Sequence, residues 1–468
     1  LEDLKRALPG KMALVDIIEY ERRVPTKTGW SVQLCYAAFI VRNGRPVRRV
    51  ELGFTRDLDL KIDAWRKMTK EIGHGYVVAE LSGLPAAKDD ALNVGMQDLR
   101  LLEDELRKEI WLPLADGLNG IETVLLSPDG RFCMFPMSAL PGKTAGTRLI
   151  EEIAFVVVPA PSRIPALLAT KPGAGDASVA LFGGVEHNVT PEKIVEKVVK
   201  SEQTIPPEKQ TVGSVLPGRE GMGGFSFLKA TSPEVNAIAQ LLPPGIVQRF
   251  IGPDATENAV RMQLTKRRWL HIASHGFFDP QMLNDGFRVV PGSAGAPMSV
   301  PVPRVFQDPG LHAGLSLAGA NEANDFDEDD GILWGMEIST RNLAHVQMAV
   351  MSACDSAKGV PVPGEGVAGL QRAFHASGVR SVVATHWPVS DLGTRLFMER
   401  FYSNMFRKKM TKIDALVEAQ RWFVASARKS ELGARWDAAD ISADGERLPA
   451  SFGLPNIWAP FVLSGDWR

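Results

Sequence analysis

"LHIASHGFFD", residues 270–279, decides the fold: an apolar run long enough for one buried strand stops at His275 and Gly276. "VQMAVMSACDSAKG", residues 346–359, has the same design, running apolar into Cys354 and then turning polar. Short continuous apolar runs bounded by small residues are the pattern of strands buried on both faces, which occur in parallel sheets covered by helices. The surrounding segments agree. "SVALFGGV" (178–185) and "VRSVVATHW" (379–387) read as further buried strands, and "WAPFVLSGDWR" (458–468) as a last one. Between them lie helical patterns: "TSPEVNAIAQLL" (231–242) with Thr231 or Ser232 as cap, "DATENAVRMQL" (254–264) with Asp254 or Thr256 as cap, and "GVAGLQRAFHASG" (366–378) stopped by Gly378. Helices over 391–406 and 412–428 follow. Strands alternating with helices imply right-handed βαβ units and a mostly parallel sheet flanked by helices.

The first half reads as a smaller α/β piece. "WSVQLCYAAFIV" and "PVRRVELGF" flank Asn43-Gly44, a hairpin signal because Asn-Gly tolerates the positive φ of tight turns. Helices are predicted at about 58–72 and 95–110, the second with Leu99, Leu102 and Leu106 at helical spacing. "IETVLLSPDGRFCMFPMSAL" (121–140) reads as strand, Pro-Asp-Gly turn and strand. The expected division is an N-terminal α/β domain over 1–178 and a second domain over 179–468. Residues 187–226, rich in Pro, Gly, Lys and Glu, are expected to form a flexible insertion, and 279–330 an irregular stretch.

Composition narrows the function. In 468 residues, 53 Lys and Arg nearly balance 55 Asp and Glu, so no net field favours direct nucleic-acid or membrane binding. The richest apolar window, 153–169, is interrupted by Arg163 and three prolines, and the first twenty residues lack the parts of a signal peptide. A soluble, cytoplasmic protein is expected. Three scattered cysteines, Cys35, Cys133 and Cys354, suit reduced thiols rather than a disulfide framework or metal site. The chain starts without methionine in what reads as mid-helix, so a longer parent protein is expected.

In open α/β sheets chemistry gathers beyond the carboxyl ends of the strands. His275 and Cys354 both stand there, and together they supply a base and a nucleophile: an imidazole beside a thiol takes its proton during attack. Small neighbours, Ser352, Ala353, Ser356 and Gly276, leave room for a substrate backbone, and the amides of Gly276 and Cys354 could serve as an oxyanion hole. Plainer readings stand beside this: a strand-end cysteine as a small buried hydrophobe, and a strand-end histidine as a hydrogen-bonded core residue. His386 is a rival base, and His375 reads as structural. His271 and His275 are four apart, but Ile272 stands where a helical zinc motif needs Glu, so neither metal nor cofactor is expected. The acidic run 322–330 reads as a solvated loop, with a calcium site or a dock for a basic partner as the alternatives.

"SPDGRFCMFPMSALPG", "WLHIASHGFFD", "AGLSLAGA", "DDGILWGMEISTRNLAHVQMAVMSACDSAKG", "GEGVAGLQRAFHASGVRSVVATHWPVSD" and "WAPFVLSGDWR" resemble, in order, blocks of the CHAT domain, a family of caspase-like peptidases often found behind tetratricopeptide repeats. The resemblance implies the caspase-separase fold with a pseudo-caspase-like N-terminal part. It matches His275 to the family's His-Gly and Cys354 to its Ser-Ala-Cys block. One departure is Asp355 directly after the cysteine, where members commonly have a Gly-rich turn and Thr. The resemblance implies a cysteine endopeptidase acting on a protein substrate, controlled by a sensor, a regulatory partner or an upstream repeat domain, as in bacterial defence; a catalytically silent scaffold is the alternative. Acidic residues that could favour Arg or Lys before the scissile bond are Asp391, Glu365, Asp355 and Glu186, whereas a preference for Asp would need a basic wall such as Arg380.

Overall fold

A computed structural model describes residues 1–27, 29–81, 90–169, 178–190, 224–278, 287–291, 297–301, 313–322, 329–353, 360–362, 366–431 and 450–468. The chain divides into two compact units: Leu1–Ala174 with Pro361–Val367 and Leu392–Arg468, and Gly175–Val360 with Ala368–Asp391. The sequence reading sets its single boundary at 178 and keeps everything beyond in one domain, whereas the compact units assign 392–468 to the first. Side chains of the C-terminal segment explain this. Arg421 Nε donates to the Ile150 carbonyl (2.7 Å), Arg428 pairs with Glu151 (2.8 Å), and Arg468 Nη2 donates to the Leu167 carbonyl (2.6 Å).

In the first unit, β1 (Met12–Thr26), β2 (Gly29–Arg42) and β3 (Arg48–Phe54) form an antiparallel meander, closed at Asn43-Gly44 with Gly44 at φ +66°. β4 (Thr123–Ser127) lies parallel to β1, β5 (Ala154–Val157) parallel to β4, and a C-terminal strand, Phe461–Gly465, parallel to β5. The sequence reading misses β1 because its outer half, with Glu19, Glu21, Arg22 and Arg23, is too charged to stand out as a buried strand. The helices Thr55–Leu81 and Asp90–Leu106 both start earlier than predicted, and the first also runs on to Leu81 rather than ending at about 72. Trp65 joins them, donating Nε1–H to buried Glu103, which also accepts from Arg148 (2.6 Å).

The second strand predicted within 121–140 does not form. Asp129 turns inward and accepts from the amides of Gly130 (2.9 Å) and Glu19 (3.0 Å), and the chain continues as 3-10 turns over Gly130–Met134 and Met137–Ala139. Phe132, Cys133, Met134, Phe135, Met137 and Leu140 are all buried, which an alternating one-faced strand would not allow, and Pro136 has no N–H for a ladder.

The second unit is built on β6 (Val179–Gly183), β7 (Val247–Ile251) and β8 (Trp269–Ser274). β9 (Gly276–Phe278) follows at once, then the antiparallel pair β10 (Phe287–Pro291) and β11 (Pro297–Pro301), then β12 (Ala313–Ser316) and β13 (Ile332–Trp334). The stretch expected to be irregular, 279–330, thus holds three strands, β10, β11 and β12. β14 (Met348–Ala353) and β17 (Ser381–Thr385) complete the set; between them in the chain comes the short pair β15 (Val360–Val362) and β16 (Gly366–Ala368), most of whose residues belong to the first unit. The main sheet runs β7-β6-β8-β14-β17 with every neighbour parallel, as predicted. β9, β12 and β13 form a small antiparallel sheet of order β13-β12-β9. Thr256 caps the helix Glu257–Lys266 by accepting from the Ala259 amide (3.0 Å). Thr231 does not cap its helix, because its hydroxyl is engaged at the end of β6, accepting from the Gly184 amide (2.8 Å) and donating to the Leu228 carbonyl (2.9 Å). Among the described residues no helix is long and apolar enough to cross a membrane.

Candidate active site

The strand order places a switch point between β6 and β8. The chain leaves β6 toward β7 on one side and leaves β8 toward β14 on the other, and in open parallel sheets the carboxyl ends at such a point are where ligand sites form. Each of these strands delivers a histidine there. β6 ends on Gly183 and is followed by Gly184 at φ +59° and then His187; after β8 comes His275. A Cβ at Gly183 would lie 2.7 Å from the Thr231 carbonyl, so only glycine lets the helix Thr231–Leu241 pack this closely against the strand end.

His275 is held by what surrounds its ring. Its Nε2 lies 2.7 Å from the carbonyl of Ser226. A carbonyl can only accept, so Nε2 carries the hydrogen and Nδ1 keeps the basic lone pair. The rings of His187 and Phe225 stand 5.4 and 5.8 Å from the imidazole. The His275 carbonyl accepts from the Ser316 amide (2.9 Å), which makes the pair Gly276↔Leu315 a non-hydrogen-bonded one and leaves the Gly276 amide off that ladder. Phe225 also contacts Phe277 (5.8 Å), which packs edge-on against Trp334 (5.4 Å), so one side of the site is aromatic.

His187 is buried, with Nε2 2.9 Å from Ser316 Oγ. Ser316 Oγ lies 3.3 Å from Ser274 Oγ, whose own hydroxyl donates to the Ser316 carbonyl. Burial, and secondarily the charge on His275, push the His187 imidazole down to about 4. It is therefore neutral at pH 7 and adds no positive charge beside His275.

The other strand end is in register with this one. β14 and β8 pair Ser352↔Ala273 and Ala353↔Ser274, so the last described residue before Cys354 faces the residue before His275 across adjacent parallel strands. Thr385 Oγ1 donates to the Ala353 carbonyl (2.7 Å) and fixes the end of β14. Cys354, Ser356, Asp355 and Glu365 lie outside the described residues, as do residues 191–223 of the expected insertion and 323–328 of the acidic run. Asp391 is the first residue of the helix Asp391–Phe406. The Glu186 side chain is exposed and reaches Gly252, where an added Cβ would come within 3.1 Å of its Oε1. His386 follows β17 and is buried beside Trp387 (6.3 Å). His271 is buried within β8, its Nε2 2.9 Å from buried Glu234, and His375 Nδ1 lies 3.1 Å from the Val379 carbonyl. Among the described residues no three His, Cys, Asp or Glu converge as metal ligands. Cys35 and Cys133 are buried in the first unit; burial, with Asp129 beside it, pushes the Cys133 thiol up to about 12, and burial also raises Cys35.

The sequence reading passes over three contributors: His187, the Ser226 carbonyl and Asn321. A signal existed only for His187, which stands just past a buried strand in "LFGGVEHN" as His275 does in "IASHG". A backbone carbonyl has no residue type to announce it.

No curated protein matches the chain. Among solved structures it is similar to separase in two separase–securin complexes of Saccharomyces cerevisiae: 10% identity and TM-score 0.47 over 99% of this chain and 30% of that one, and 11% and 0.38 over 87% and 22%. It is also similar to the Arg-specific cysteine proteinase gingipain R, with 9% identity and TM-score 0.35 over 82% of this chain and 70% of that one. The chain thus spans less than a third of the separase chains it matches. The model of the CHAT domain matches residues 100–466, taking in His187, His275 and the strand that leads to Cys354, and the chain belongs to the CHAT domain family.

Proposed function

We propose that the chain is a caspase-like cysteine endopeptidase in which His275 is the general base for Cys354. The observation that carries this is the orientation of His275: Nε2–H is tied to the Ser226 carbonyl, so the basic Nδ1 is left for a thiol. The register Ala353↔Ser274 supports it, since adjacent parallel strands lie about 5 Å apart. In the reaction Nδ1 takes the thiol proton as sulfur attacks the scissile carbonyl. The oxyanion is met by the amides of Gly276 and Cys354, and the intermediate collapses to a thioester as His275 gives its proton to the leaving amine. Water then enters by the same base and releases the acid. Arginine or lysine precedes the scissile bond, read by acidic groups among Asp391, Glu365, Asp355 and Glu186, and a sensor, a regulatory partner or an upstream repeat domain controls the activity.

The test is a search for new protein N-termini in a proteome incubated with wild-type protein, supplied with candidate activators, against the same with Cys354→Ala. New termini preceded by basic residues in the wild-type sample alone support the reading. None under any condition leaves the silent scaffold.

A further inference from the structure

The orientation of His275 depends on one carbonyl, and that carbonyl sits in a short strap, residues 224–227, with no helical or strand ladder of its own. Asn321 takes the place of a ladder. Its Oδ1 accepts from the Phe225 amide (2.8 Å), and its Nδ2 donates to the Phe225 carbonyl (2.9 Å) and to Asn188 Oδ1 (2.7 Å). The Asn321 amide in turn donates to the His187 carbonyl (2.9 Å), anchoring the residue to the loop after β6. Phe225 is thus gripped at both backbone groups by one side chain, in the way a neighbouring strand would grip it. The next carbonyl along is the one on His275 Nε2. A planar amide can do this because it offers a donor and an acceptor a fixed distance apart; a carboxylate or an alkyl side chain cannot.

We propose that Asn321 is a positioning residue which, by clamping the backbone of Phe225, holds the Ser226 carbonyl on His275 and thereby sets which imidazole nitrogen is the base. The proposal rests on the reading of His275 as the base for Cys354, but the protonation pattern of the ring is measurable without turnover. Nothing else described does the same work: Phe225 and His187 confine the ring by their faces, which selects a plane but not a tautomer.

The experiment uses the full chain with 15N-labelled histidine, His275 being assigned by its loss in His275→Gln. In the wild type at pH 7.5, Nε2 is protonated and Nδ1 is not. In Asn321→Ala the two nitrogens move toward the averaged shifts of a free, exchanging imidazole, and kcat on a peptide substrate falls at least tenfold with KM changed less than twofold. Asn321→Asp, which is isosteric and keeps only the acceptor for the Phe225 amide, loses the fixed tautomer as well. Asn188→Ala removes the amide's third hydrogen bond, leaves the clamp, and preserves both tautomer and kcat. Circular dichroism and melting temperature establish that each variant is folded. A single Nε2–H tautomer retained in folded Asn321→Ala overturns the proposal. So does an equal loss in Asn188→Ala, which would make the effect one of the loop. If the wild type shows the fixed tautomer yet cleaves nothing, the peptidase reading fails while the clamp stands.

Discussion

Acidification from pH 7.5 to 4.5 is expected to destabilise the unit that carries His275 through one buried side chain, His187. Unfolded, its imidazole takes a proton near pH 6.5; folded, burial and the neighbouring His275 hold it to about 4. Between these values the unfolded chain binds more protons than the folded one, so stability falls as pH falls. Above 6.5 neither state binds the proton and below 4 both do, so the dependence is confined to that window. At about 1.4 kcal/mol per pH unit, descending from 6.5 to 4.5 costs roughly 2–3 kcal/mol. For a unit of about 200 residues this lowers the melting temperature by about 5–10 °C. Other groups titrate in the same range, so the measurement is a difference: wild type against His187→Gln, whose amide can still reach Ser316 but does not titrate. At pH 7.5 the variant should be the less stable of the two, because it loses the ring contacts with Phe225 and His275. As pH falls its deficit should shrink and then reverse. A difference that stays constant from pH 7.5 to 4.5 would refute the reasoning, because it would mean that the folded protein protonates His187 as readily as the unfolded chain does.

Cys354→Ala or His275→Ala should reduce peptide cleavage at least a thousandfold while circular dichroism stays unchanged, and His386→Ala should keep at least a tenth of the turnover; the opposite ranking of the two histidines would make His386 the base. Fluorogenic peptides with Arg or Lys before the scissile bond should exceed matched Asp peptides at least a hundredfold in kcat/KM, since an unpaired buried charge costs several kcal/mol. Asp391→Asn should narrow that ratio more than Glu365→Gln, and equal cleavage after Asp would remove the basic preference. Glu234→Ala leaves the His271 ring nitrogen buried without its acceptor and should cost about 1–3 kcal/mol in urea unfolding; Glu234→Gln, which can still accept, should cost less.

Buried parallel strands were legible because they are continuous: β6, β8, β14 and β17 lie in short apolar runs bounded by small or polar residues. The place of His275 was legible for the same reason, since a polar residue closing such a run stands at a strand's carboxyl end. What stayed hidden depends on tertiary contacts. The segment after Pro128-Asp129-Gly130 has the composition of a strand and becomes 3-10 turns because Asp129 is drawn onto the Glu19 amide of a distant strand. Thr231 has the position of a helix cap and is taken instead by Gly184, far away in the chain. Asn321 sits beside an acidic run that reads as solvated loop, and its contacts with Phe225 exist only once the loops beyond β6 and β12 have met. That the C-terminal segment groups with the first compact unit was not legible either, because pattern shows that Phe461–Gly465 is a strand but not which strand it joins.

The central claim is that Cys354 is a nucleophile activated by His275, and covalent trapping tests it most directly. The full chain is treated at pH 7.5 with a peptidyl chloromethyl ketone ending in arginine, and the intact mass is followed in time for the wild type and for His275→Ala. Cys35 and Cys133 are buried and held as thiols, so they report only background. The account predicts one adduct per chain, mapped to Cys354 by peptide digestion and formed at least a hundredfold more slowly without His275. No adduct at Cys354, or one formed at the same rate in both proteins, would contradict it.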